Sequence, residues 1–185
     1  MKARARFHNH LFAGVLALIL SGPVLADPVR LDDLFDQLKT ADAEQAEKLE
    51  RDILLEWSKT GSPAFDLLLE RGGEAMAAGD FPTAIEHLTA LIDHDPEFAE
   101  GYNARATAYY MAGEIGPSIA DIRKTLSLNP RHFGAMMGFA MILEELEKPD
   151  EALEVYKAAL AIHPHLSGVS EAIERLETAK SGQGI

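Results

Sequence analysis

Residues 99–132 read AEGYNARATAYYMAGEIGPSIADIRKTLSLNPRH. Tyr102, Ala106 and Tyr109 recur at the spacing of one helix face, Gly113 interrupts, and Ile119, Ile122 and Leu126 recur again. Asn129-Pro130 closes the stretch, because proline lacks the amide proton a helix interior needs and disfavours helical geometry at the residue before it. The stretch predicts two helices joined by a tight turn.

The same pattern recurs on either side. Pro96, Pro130 and Pro164 are 34 residues apart, as are Ala84, Ser118 and Ala152. Apolar columns keep that register: Ile85, Ile119 and Leu153, then Leu88, Ile122 and Tyr156. Gly72, Ala106 and Ala140 form a column of small residues, and Ala75, Tyr109 and Leu143 an apolar one. Small residues let the two helices of a pair approach closely, while large apolar ones fill the space between neighbouring pairs. The units run over 65–98, 99–132 and 133–166.

These columns resemble the tetratricopeptide repeat (TPR): a small residue early in helix A, an apolar or aromatic residue three positions on, Ala and an apolar residue in helix B, and Pro near the end. The resemblance implies an all-α, right-handed superhelical solenoid of antiparallel helix pairs. Departures from the pattern are Arg71 and Arg105 before the small residue, Ser118 in place of Ala, and Glu147 where Gly is common.

The flanks fit a solenoid whose ends need covering. Residues 167–180 predict an amphipathic C-terminal capping helix, followed by a frayed tail over 181–185. Before the first unit, Leu31, Leu34, Phe35 and Leu38 form one stripe and Ala46, Leu49, Ile53 and Trp57 another. Residues 27–62 are expected to form a capping helix pair or a degenerate repeat. Residues 1–26 read as a secretory signal peptide. Lys2, Arg4 and Arg6 precede the uncharged run Leu11–Leu20, Gly22-Pro23 breaks it, and Val24-Leu25-Ala26 offers small residues for cleavage after Ala26. The run is short for a bilayer span, so the expected protein is exported, periplasmic in a Gram-negative host, without stable membrane insertion.

Composition narrows the partners. Lys and Arg number 17 against 30 Asp and Glu, a formal charge of −13, and no basic cluster follows residue 6, which argues against nucleic acid. There are no cysteines, so thiolate chemistry is excluded. No phosphate loop, nucleophile elbow or zinc-protease motif occurs, and no catalytic residue is assigned. The Gly72-Gly73 pair reads as close helix packing. His163-Pro164-His165 and Asp93-His94-Asp95 sit in inter-repeat turns, where exposed histidines are commonplace, and lack ligand spacing on one helical face. No metal or cofactor is expected. Met76, Met111, Met136, Met137 and Met141 fit core filling or an adaptable surface better than copper ligation.

The resemblance also implies where a partner would sit, in a concave groove lined by helix A of each unit. The residues at groove positions are Leu69, Gly73 and Met76, then Asn103, Thr107, Tyr110 and Met111, then Met137, Met141 and Glu144. Some family members grip a C-terminal carboxylate with Lys, Arg and Asn. Here those positions hold Leu69, Gly73, Ala104, Gly134 and Gly138, so that clamp is absent. The expected function is an exported scaffold binding a protein or peptide segment, in cell-envelope assembly or integrity. The overall order resembles small exported repeat proteins of α-proteobacteria. Alternatives are a maturation factor holding an unfolded client, as in cytochrome c assembly, and a small-molecule or metal-binding envelope protein. The N-terminal helices could themselves fill the groove.

Overall fold

A computed structural model describes residues 28–182, and among these the chain forms nine helices and no extended sheet. They are α1 Pro28–Leu38, α2 Ala43–Trp57, α3 Pro63–Ala77, α4 Phe81–His94, α5 Ala99–Met111, α6 Ile115–Leu128, α7 Phe133–Glu145, α8 Pro149–Ile162 and α9 Val169–Gly182. The helices α3 to α8 pair as the 34-residue register requires. No described helix is long and apolar enough to cross a membrane. The expected signal peptide lies outside the described residues.

Local chemistry sets the helix ends. Asp42 accepts from the Gln45 amide at 2.9 Å while the Gln45 side chain accepts from the Asp42 amide, a reciprocal cap on α2. Pro63 opens α3 and Pro149 opens α8, positions where no helical amide is lost. The tight turns within the three units place Gly79, Gly113 and Glu147 at φ +76°, +80° and +58°. Glycine adopts this left-handed conformation freely, whereas Glu147 carries a Cβ there and is strained by about 1–2 kcal/mol.

The small-residue column works through contact. A Cβ at Gly72 would lie 2.7 Å from Leu88 Cγ, so α3 and α4 approach only because it is missing. Gly73 has nothing within 4 Å of such a Cβ, so close packing explains only one glycine of the pair. Arg105 fills its column by other means. Its guanidinium bonds both Asp121 oxygens at 2.7 and 2.9 Å and Thr89 at 3.0 Å, stacked between Tyr102 and Tyr109.

The α1–α2 hairpin departs from the expected cap ahead of the first unit. Its Leu34, Phe35, Leu38, Ile53 and Trp57 share an apolar cluster with α7, α8 and α9, at the other end of the solenoid. Helix α2 runs back across the turns joining one unit to the next. His165 Nε2 lies 3.0 Å from the Ala41 carbonyl, His163 Nε2 lies 3.2 Å from Glu50, and the Trp57 ring stacks on His132 at 4.4 Å. In α1, Asp32 pairs with Arg131 at 2.8 Å, and the Arg131 guanidinium covers Phe35. The stripes predicted on α1 and α2 are the buried ones, but their partners are the late turns.

At the C-terminus α9 buries Val169, Ala172 and Leu176 against α8 and runs to Gly182, two residues into the expected frayed tail. Residues 183–185 lie outside the described part.

Candidate binding groove

Helices α5 and α7 stand side by side with a gap between them, floored by α6. The gap is a cavity of about 230 Å³. Asn103, Thr107 and Tyr110 form one wall and Gly134, Met137, Gly138 and Met141 the other, above Ala106, Ser118, Ile122 and Ile142. Both walls are helix-A faces, which places the cavity on the concave side. It is open to solvent, with Tyr110 and Met141 36% and 46% exposed. The α1–α2 hairpin contributes no lining residue to it.

Side chains of α5 and α7 approach one another at both ends of the gap. At the N-terminal end of α5 and α7, His132 reaches Glu100 at 2.9 Å. His132 also caps α7, since its Nδ1 accepts from the Ala135 amide at 3.0 Å. That bond leaves Nε2 as the protonated nitrogen, donating to Glu100. At the opposite end Tyr110 of α5 meets Glu145 of α7. Burial first, then the Glu145 charge and its hydrogen bond, hold the phenol above the ordinary tyrosine pKa, so it remains a donor.

Within the cavity polar groups are few. Ser118 donates to the Ala106 carbonyl at 2.9 Å and Thr107 to the Asn103 carbonyl at 3.1 Å. Asn103 donates to Glu100 at 3.2 Å, leaving its amide oxygen with no described partner. A Cβ at Gly138 would meet nothing within 4 Å, so the bare helix backbone there is not needed for internal packing.

The structure gathers Asn103, Thr107, Tyr110, Met137 and Met141 from the groove positions. Met111 is 51% exposed and lies outside the cavity. Leu69 and Met76 pack against the cluster of α3, α4 and α5, so the first unit's residues are separate from this pocket. Glu144 turns away to α9. Two bonds from Arg175, at 2.7 and 3.1 Å, hold its carboxyl below the usual range against its partial burial, helped by one from Tyr156 at 2.9 Å. Burial and that same carboxylate push Tyr156 well up. The spacing assigns Ile122 to a core column and gives no sign that it or Ile142 floors a site; both line the cavity.

The turn histidines also differ from expectation. His132 and His163 are buried at 1% exposure, the former as a cap and the latter against Glu50 and Phe133. Among the described residues no three His, Asp or Glu side chains converge as a metal set would.

Comparison with known proteins places these features. The tetratricopeptide repeat model matches residues 69–116 and 117–167. A TPR repeat-containing protein of Rhizobium etli is 34% identical over 83% of this chain and 76% of its own length. The first TPR domain of Spaghetti (RPAP3), solved with the HSP90 peptide SRMEEVD, superposes with a TM-score of 0.61 at 22% identity, covering 65% of this chain and 95% of that one. A TPR domain of yeast Sti1 in complex with pHsp70 gives 0.58 at 26% identity, covering 66% and 99%.

Proposed function

The chain belongs to the tetratricopeptide repeat family, and on that premise we propose that it is an exported scaffold holding a segment of another protein between α5 and α7. One observation carries this reading. The α5–α7 gap is open, mostly apolar and flanked by exposed Met141 and Tyr110. Apolar patches exposed in this way mark contact sites, and methionine adapts to varied shapes. The proposed role is binding without catalysis, in line with relatives and neighbours that are named for their repeats and peptide complexes. The carboxylate clamp positions hold Leu69, Gly73, Ala104, Gly134 and Gly138, so the bound segment is internal and not a chain terminus.

Export rests on the sequence of residues 1–26, and the role assigned with it is envelope assembly or integrity. The mature protein then starts at Asp27, which an intact mass from the native host checks.

A photo-crosslinker at position 110 in cells tests the groove. Capture of a defined protein chain is expected, and its loss in the Tyr110→Glu, Met141→Glu double variant. Full capture by that variant, folded by circular dichroism, would remove the groove from consideration.

A further inference from the structure

The groove carries charge of one sign. The lining residues Asn103, Thr107, Tyr110, Gly134, Gly138 and Met141, moved by one or two 34-residue periods along the register, extend the same concave surface onto α3 and to the end of α7. At those positions on α3, α5 and α7 stand Asp66, Glu70, Glu100 and Glu144, with Glu145 beside Tyr110, and no Lys or Arg. Among the described residues Arg175 neutralises Glu144, Lys148 pairs with Glu151, and Arg105 is held by Asp121. Arg71, next to Glu70 in sequence, is the exposed exception. Asp66 accepts from the Thr60 hydroxyl, and Glu100 from Asn103 and the imidazole of His132. None of Asp66, Glu70, Glu100 or Glu145 has a described Lys or Arg partner.

From this charge pattern, and resting on the groove reading above, we propose that the occupant is an apolar segment flanked by Lys or Arg. A large aliphatic or aromatic side chain enters the cavity over the bare backbone at Gly138, between Met137 and Met141. Flanking cations then reach Glu145 at one end of the gap and, one helix further along the concave surface, Glu70 on α3. An acidic surface steers cationic partners and repels anionic ones. A peptide such as SRMEEVD, which brings three side-chain carboxylates, is the kind of ligand this groove rejects.

The test uses the purified full chain and three labelled peptides of equal length, built from Leu and Lys, Leu and Glu, or Ser and Lys. Binding is followed by anisotropy, and location by the methyl resonances of Met137 and Met141. The Leu/Lys peptide is expected to bind on the order of tenfold tighter than Leu/Glu at low salt, to shift both methyls, and to weaken as salt rises. Ser/Lys is expected to bind weakly. Glu70→Lys with Glu145→Lys is expected to reverse the order of the first two peptides. Equal affinity for Leu/Lys and Leu/Glu, with methyl shifts, overturns the charge inference and leaves the groove standing. Binding without methyl shifts, or unchanged by the reversal, overturns it as non-specific adsorption. No binding by any peptide overturns both readings. Methyls already shielded from a soluble paramagnet in the free chain overturn the external partner and point to residues 1–27, where Lys2, Arg4 and Arg6 precede an apolar run.

Discussion

Gly72 and Gly73 are adjacent in the interior of α3, yet alanine substitutions there should move stability in opposite directions. Glycine within a helix costs about 1 kcal/mol relative to alanine, so each substitution starts with a gain of that order. At Gly73 the new methyl meets nothing within 4 Å, and the gain of about 0.5–1 kcal/mol remains. At Gly72 the methyl lands 2.7 Å from Leu88 Cγ and 2.8 Å from Cδ2. Leu88 is fully buried and cannot swing away, so α3 and α4 must part. Overpacking of this kind costs about 1–3 kcal/mol, which exceeds the helix gain and leaves Gly72→Ala about 1 kcal/mol below wild type. The two variants should differ by about 2 kcal/mol, or roughly 4–8 °C in midpoint for a chain of this size. Urea and thermal melts by circular dichroism measure the difference. Hydrogen exchange across α3 and α4 then shows whether the loss is local, as in a solenoid whose units open separately. A Gly72→Ala protein as stable as wild type, or a clearly destabilised Gly73→Ala protein, would refute the packing argument.

Two further outcomes follow from the α1–α2 hairpin, a strap across the inter-unit turns, and from the C-terminal cap. Trp57→Ala removes the ring stacked on His132 and should cost about 3 kcal/mol or more. Exchange should rise in α1, α2 and the first turn of α7 while α3 and α4 keep their protection; equal loss in α3 and α4 would contradict the strap. Glu144 has its pKa lowered below 4.5, first by Arg175. Its contribution to holding α9 is therefore complete above pH 4.5 and fades as pH falls through the lower folded-state value. Glu144→Gln should flatten that acid-side change in α9 exchange; an unchanged profile would assign it elsewhere.

The repeats were legible because solenoid packing is periodic, so each contact appears in the sequence three times. Ala84, Ser118 and Ala152 announce themselves as a column, and all three are fully buried. The destination of α1–α2 left no such mark. Its partners Arg131, His132, His163 and His165 are single residues in turns, and their counterparts 34 positions away differ. The amphipathic stripes announced that the hairpin must bury a face, while nothing periodic announced against what. Groove positions carried over by register placed Asn103, Thr107, Tyr110, Met137 and Met141 together. Leu69 and Met76 failed to join them because the first unit packs those side chains toward its own cluster.

The strap bears on the groove through one residue. His132 joins Glu100, in the first turn of α5, to the cap of α7, and Trp57 stacks on its ring. Those are the two helices that wall the cavity. At their far ends Tyr110 and Glu145 lie close enough to interact. A gap bridged at one end by a hydrogen bond packed beneath a tryptophan, with Tyr110 and Glu145 close together at the other, is partly ordered before anything enters it. Such preorganisation lowers the ordering cost of binding. It also gives the non-periodic hairpin a reason to run backward: stacked ahead of α3 it would extend the solenoid, whereas across the turns it braces the wall on which a partner would rest.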